Sequence, residues 1–187
     1  VPGLVQKCLT SVGHSVEVDT VFVSFLESAD TSPIHRKIAN GKWSHVVLQA
    51  QKLSSSHRYR YSTKEAIHLA QAGKAAGAQV LLFAEWPRRG IDETDFILAV
   101  YGEIAKASGA KIISVGGAWD AAIKSEPKLD LWQADGNHAK PLGSYLAALS
   151  LSRAIGDPEM KATANPLRLE AGLLGLLRRA TKASVPR

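Results

Sequence analysis

Short apolar runs of strand length recur along this chain, separated by stretches whose apolar residues fall at helical spacing. Val46-Val47-Leu48, Val80 to Ala84 and Ile112-Ile113 are continuous apolar runs, the pattern of strands buried on both faces of a parallel sheet. Between them, apolar positions recur every three or four residues over roughly 12 to 18 residues, which is helix. A strand that alternates with a helix can bury both only as crossover units, so the expected fold is α/β. The sheet should be mainly parallel and covered on both faces, a three-layer α/β/α sandwich.

Local signals set the expected boundaries. Leu4, Val5, Cys8 and Leu9 mark one face of a helix from Pro2 to Val12, stopped by Gly13. Ser15 to Phe25 alternates and is rich in valine and phenylalanine, and is read as a strand, followed by strands at His45–Gln49, Gln79–Glu85 and Lys111–Val115. Ser62-Thr63-Lys64-Glu65 has the form of a capping box opening a helix that ends at Gly77. Asp92 opens a helix ending at Gly109, and Gly116-Gly117 precedes a short helical segment around Trp119 to Lys124. Pro141 suits the first turn of a last long helix, terminated by Gly156-Asp157-Pro158.

At 187 residues one compact domain is expected, and residues 1–157 carry the whole α/β pattern. Residues 158–187 read as a basic amphipathic extension. Lys161, Arg168, Arg178, Arg179, Lys182 and Arg187 face only Glu159 and Glu170 there, so the tail holds most of the net charge of +6. Its leucines at 169, 173 and 176 share one face, which is expected to dock on the body or on a partner. The longest apolar runs fall far short of a membrane-crossing helix. The lone Cys8 sits on an apolar face and reads as a small core residue.

Ligands of an open parallel sheet bind beyond the carboxyl ends of its strands. The loops there carry Gln49 and Gln51, then Trp86, Arg88 and Arg89, then Trp119, and finally Trp132, Asp135 and His138. Asp135 stands three residues before His138. In a turn that spacing lets the carboxylate accept from the ring's Nδ1–H, leaving Nε2 free as a general base. The same residues also suit a plain Asx-turn with His138 capping the next helix, and the motif alone leaves both readings open. Arg88 and Arg89 read as a solvated loop, and Trp86, Trp119 and Trp132 as walls of an acyl or sugar pocket or as ordinary core. Arg58-Tyr59-Arg60-Tyr61 interleaves cations and rings, yet one dipeptide repeat is not a groove, and no nucleic-acid partner is expected. Gly116-Gly117 is not a dinucleotide fingerprint, and the histidines lack ligand spacing, so neither cofactor nor metal is expected.

The run Asp135-Gly136-Asn137-His138 through Gly143-Ser144-Tyr145-Leu146-Ala147-Ala148 resembles the C-terminal catalytic block of the SGNH (GDSL-like) hydrolases. Trp43 to Gln49 and Val115-Gly116-Gly117-Ala118-Trp119 resemble two further segments of that superfamily, in the same order. The resemblance implies a serine esterase on a flavodoxin-like sheet, acting on small acyl or carbohydrate acetyl esters without metal or cofactor. It makes Asp135 the orienting acid, His138 the base, and Gln49 or Gln51 the oxyanion amide.

The family's nucleophile lies in a G-[DN]-S motif after the first strand, and these 187 residues contain no such motif. The sequence opens at Val1 with residues like the helix that follows that motif. It is therefore expected to lack the first strand and the nucleophile. The competing class is a non-catalytic ligand- or carbohydrate-binding domain on the same fold. The resemblance is compatible with a secreted or periplasmic bacterial protein and fixes no compartment.

Overall fold

The structure is a computed structural model describing residues 1–28 and 32–185; Arg187, counted above in the basic tail, lies outside the described residues. The fold is α/β. Seven helices and a three-stranded parallel sheet are described: α1 (Pro2–Thr10), α2 (Ser32–Asn40), β1 (His45–Leu48), α3 (Lys64–Ala75), β2 (Gln79–Ala84), α4 (Thr94–Ser108), β3 (Lys111–Ser114), α5 (Val115–Ser125), α6 (Pro141–Ile155) and α7 (Ala171–Ala180). The strand order is β1-β2-β3. The chain forms two compact units, one of residues 21–85 and 94–112, the other of residues 1–20, 86–93 and the chain from Ile113 on.

In the first unit β1 and β2 pair in parallel, with His45 opposite Gln79 and Leu48 opposite Leu82. Apolar residues of α3 (Ala66, Leu69, Ala70) and α4 (Ile97, Tyr101, Ile104) form one core with Val80, Leu82 and Leu48. Gly73 sets how closely α3 approaches the sheet, since a Cβ there would stand 2.8 Å from a Val80 methyl. Ser62 accepts from the Lys64 N–H at 3.3 Å, but the N-cap position is Thr63 with no side-chain cap, so the capping box expected at Ser62 is corrected. Gly77 and Gly109 end α3 and α4 in the left-handed region that favours glycine.

In the second unit α1 packs on α6, while α5 packs on α6, α7 and the 3₁₀ turn Thr181–Ser184. Cys8 is fully buried in α1, and burial pushes its thiol pKa up. Leu177 and Ala180 are the buried positions of α7.

Three local expectations are corrected. Residues 15–25 form no strand, and Val18, Val21, Phe22 and Phe25 are exposed there, Phe22 by 91%. Alternation fits a strand only where another strand's edge takes up its backbone N–H and C=O groups, and this segment has no such partner among the described residues. The helix after β3 starts at Val115 and contains both glycines, because the Ser114 hydroxyl accepts from the Gly117 N–H at 3.1 Å and caps the helix early. Helix α2 was not read at all; its signals are Pro33 at the start and Ile34 and Ile38 one turn apart.

Gly143 carries a stability prediction. A Cβ there would stand 2.4 Å from the Trp119 ring and 2.5 Å from the Leu131 carbonyl oxygen. Because one obstacle is backbone, G143A is expected to cost about 1–3 kcal/mol despite alanine's better helix propensity. Thermal unfolding checks this, and a Tm equal to or above that of the parent contradicts the packing argument.

Candidate active site

Leu131 to Lys140 fold back on themselves as a short antiparallel pair. Lys140 N–H donates to Leu131 O at 2.8 Å and Gln133 N–H to His138 O at 2.7 Å, with a bridge between Trp132 and Ala139. At the tip Gly136 adopts φ +70°, which a side chain would strain. Asp135 has two tasks there. Its Oδ1 accepts from the backbone N–H groups of Asn137 and His138, each at 2.9 Å, which is the Asx-turn; its Oδ2 lies 2.5 Å from His138 Nδ1. The Asx-turn and the carboxylate–imidazole contact therefore coexist, one on each oxygen, while the expected cap by His138 is corrected: the N-cap of α6 is Lys140, with no side-chain cap.

A carboxylate only accepts, so the proton of this pair sits on Nδ1 and Nε2 presents a lone pair. The bond from His138, joined by the two amide N–H groups, holds the Asp135 carboxyl pKa at about 2. The imidazole side chain is 71% exposed, so the basic nitrogen is reachable from solvent. Among the described residues it has no hydrogen-bond partner other than Asp135.

The segment Trp86 to Glu93 supports this hairpin from below. Trp86 Nε1–H donates to Asn137 O at 2.8 Å, and Trp132 Nε1–H donates to Pro87 O at 2.8 Å. Arg89 gives its backbone N–H to Gly136 O at 2.8 Å and its Nη2 to Trp132 O and Gln133 O at 2.8 and 3.0 Å. Arg88 is tied to the buried Glu93 at 2.7 Å, and Glu93 also accepts the Arg88 N–H at 2.6 Å. Arg88 and Arg89, read as a solvated loop, thus carry structural bonds: Arg88 is drawn to the buried Glu93, and Arg89 bonds the hairpin while staying half exposed. Trp119 is fully enclosed, stacked on Trp86 with centroids 4.7 Å apart and tilted against Trp132 at 5.5 Å. Beside the hairpin, Arg89, Ile123, Leu129, Asp130 and Trp132 border an open groove of about 440 Å³.

Comparison with known proteins finds no matching family model and no matching curated protein. A solved structure described as "a putative SGNH hydrolase from Slackia heliotrinireducens" is 27% identical, with a TM-score of 0.62 over 83% of this chain and 90% of that one. The similarity is to the SGNH hydrolases. A second solved structure, a DUF4886 family protein from Bacteroides uniformis, shares the fold at 16% identity, with a TM-score of 0.54 over 79% of this chain and 64% of its own.

The oxyanion amide implied by the SGNH resemblance was left between Gln49 and Gln51. Gln51 is buried, and its Nε2 donates to the carbonyls of Lys52 and Ser62 at 3.3 and 3.1 Å. Gln49 follows β1 directly and is exposed. Between them Ala50 has φ +69°, a conformation disfavoured for alanine, with its N–H held at 2.8 Å by Oε1 of Glu85. The other Glu85 oxygen accepts from the Tyr101 hydroxyl at 2.7 Å, and the Gln51 N–H donates to that hydroxyl at 3.3 Å.

Glu85, in the loop after the second of the three strands, and Tyr101, on the apolar face of the next helix, were given no role from the sequence. A tyrosine on the apolar face of α4 was the available signal, since a buried hydroxyl needs a partner. Among the described residues no group of three histidine, cysteine or acidic side chains could hold a metal ion, and no helix is long and apolar enough to cross a membrane.

Proposed function

We propose that this chain carries the acid–base pair of an SGNH-type carboxylic-ester hydrolase, with Asp135 as orienter and His138 as general base. One observation carries the reading: the 2.5 Å Asp135–His138 contact that fixes the Nδ1–H tautomer and turns Nε2 outward. In the reaction Nε2 takes the hydroxyl proton of a serine, and the serine oxygen attacks the ester carbonyl. The imidazolium then returns the proton to the departing alcohol, and water repeats the sequence on the acyl-serine. Of the two amides that the resemblance offers for the oxyanion, Gln51 spends its amide N–H groups on backbone carbonyls, and Gln49 is exposed. The apolar sides of the groove, Ile123, Leu129 and Trp132, suit a small acyl or acetylated sugar substrate.

None of the described serines is hydrogen-bonded to His138. Ser11, for example, donates to Cys8 O and accepts from the N–H groups of Thr163 and Ala164. The reading therefore makes a two-part forecast for p-nitrophenyl acetate hydrolysis. The 187 residues as given should do no better than buffer, and the same chain with a Gly-Asp-Ser-bearing strand placed ahead of Val1 should turn over. Turnover by the chain as given, abolished by mutating one of its own serines, would transfer the nucleophile's role to that serine. If the extended chain stays inert towards a panel of acyl and acetyl esters while binding one of them, the binding-domain alternative is favoured.

A further inference from the structure

We infer that Arg89 is a positioning residue for the Asp135–His138 pair, an inference that rests on the proposed role of that pair. Asp135 is half exposed and His138 more so, so neither side chain is held by packing. Something else must keep the turn closed, since an unrestrained histidine at this exposure samples many rotamers. The restraint is on the backbone. Arg89 holds three carbonyls of the hairpin, Trp132, Gln133 and Gly136, and these flank Asp135 on both sides in sequence.

The carbonyl of Gln133 is the acceptor for the Gly136 N–H at 3.0 Å, so the guanidinium and the turn's own amide meet on one oxygen. The two guanidinium bonds, to Trp132 O and Gln133 O, are charge-assisted and therefore stronger than neutral ones. The guanidinium is also placed: its central carbon lies 5.9 Å from the centroid of the Trp132 ring, and one of its nitrogens is 3.7 Å from Asp130 Oδ1. Asp130 in turn pairs with Lys140 at the far end of the hairpin. A ring of contacts thus runs from Asp130 through Arg89 to Gly136 and returns through Lys140. Arg89 itself touches neither Asp135 nor His138.

The test is the tautomer of His138, read by long-range ¹H–¹⁵N correlation of the imidazole in the 187-residue chain at a pH where the ring is neutral. The parent is expected to show Nδ1–H, against the Nε2–H form favoured by free imidazole side chains, and D135N is expected to abolish that preference. R89M keeps an apolar side chain of similar length and the backbone N–H on Gly136 O but removes the guanidinium donors, and is expected to shift His138 to a mixture of tautomers with the fold intact by circular dichroism. R89K places a single donor nitrogen near the two carbonyls that one Arg89 nitrogen now serves, and is expected to restore most of the Nδ1–H form.

A parent-like tautomer in R89M overturns the inference. So does a folded R89K that behaves like R89M, because the donor and not the shape is what is claimed. If R89M does not fold, R89K against R89A decides by the same signal. The signal does not depend on turnover. An extended chain without esterase activity would count against the proposed function and leave this assignment standing, whereas a parent-like R89M would do the reverse.

Discussion

His138→Ala is expected to lower kcat by about three to six orders of magnitude in a chain supplied with the Gly-Asp-Ser strand, because a serine hydroxyl without its base is a poor nucleophile. Asp135→Asn should be nearly as damaging, about 10⁴-fold, for a different reason. The asparagine oxygen can still accept the backbone N–H groups that Oδ1 holds now, so the turn survives. Its amide nitrogen would then face Nδ1 and donate to it, which moves the ring proton to Nε2, the nitrogen that must accept. Steady-state assays with p-nitrophenyl acetate measure both effects. An Asp135→Asn enzyme within tenfold of its parent would show that the tautomer is not what the carboxylate controls.

The second large effect concerns stability against pH and centres on Glu85. Burial raises its carboxyl pKa from 4.5 to about 7, although the bonds from Tyr101 and Ala50 favour the ionised form. Tyr101 is the titratable group facing it, and its own pKa is pushed well above the usual value, first by burial and then by the neighbouring Glu85 charge; it stays neutral over this range. The sign follows from the raised value. The folded state binds the Glu85 proton more tightly than the unfolded chain, so the contribution is complete below about pH 4.5 and is lost as pH rises through about 7. The full swing corresponds to about 3 kcal/mol.

Glu85→Gln cannot ionise and should lack this component. Urea unfolding of parent and variant at pH 5 and pH 8 isolates it, since every other titrating group cancels in the difference. A parent-minus-variant difference that is the same at both pH values would mean that Glu85 keeps an ordinary carboxylate pKa.

What could be read from the residues divides by the range of the interaction. The strands at His45, Gln79 and Lys111 were legible from their runs of branched apolar residues, although burial on two faces holds for the run in β2 and not for β1, where Val47 is exposed. Alternation misled at Ser15 to Phe25, where the pattern is present and, among the described residues, the pairing edge is not. Helix α2 escaped because His35, Arg36 and Lys37 dilute its two isoleucines. Asp135 and His138 were legible because three residues of chain bring them together. Arg89 reaches carbonyls 43 and 44 residues away, and Glu85 reaches an amide 35 residues back and a hydroxyl 16 residues on. No local spacing announces contacts of that length, and a charged residue in a loop otherwise looks like solvent-facing surface.

The stacked indoles have an optical consequence. Trp86, Trp119 and Trp132 lie with neighbouring ring centroids 4.7 and 5.5 Å apart, close enough for their transitions to couple, and two of them bond across the junction of the hairpin and its support. Trp43 belongs to the other unit, its indole N–H given to Lys37 O. The near-ultraviolet dichroism of this protein should therefore be dominated by one coupled aromatic chromophore whose geometry is the geometry of the hairpin. A loosening of the Asp135–His138 turn that left the backbone helices and strands in place would register there first, with no label attached and no substrate needed.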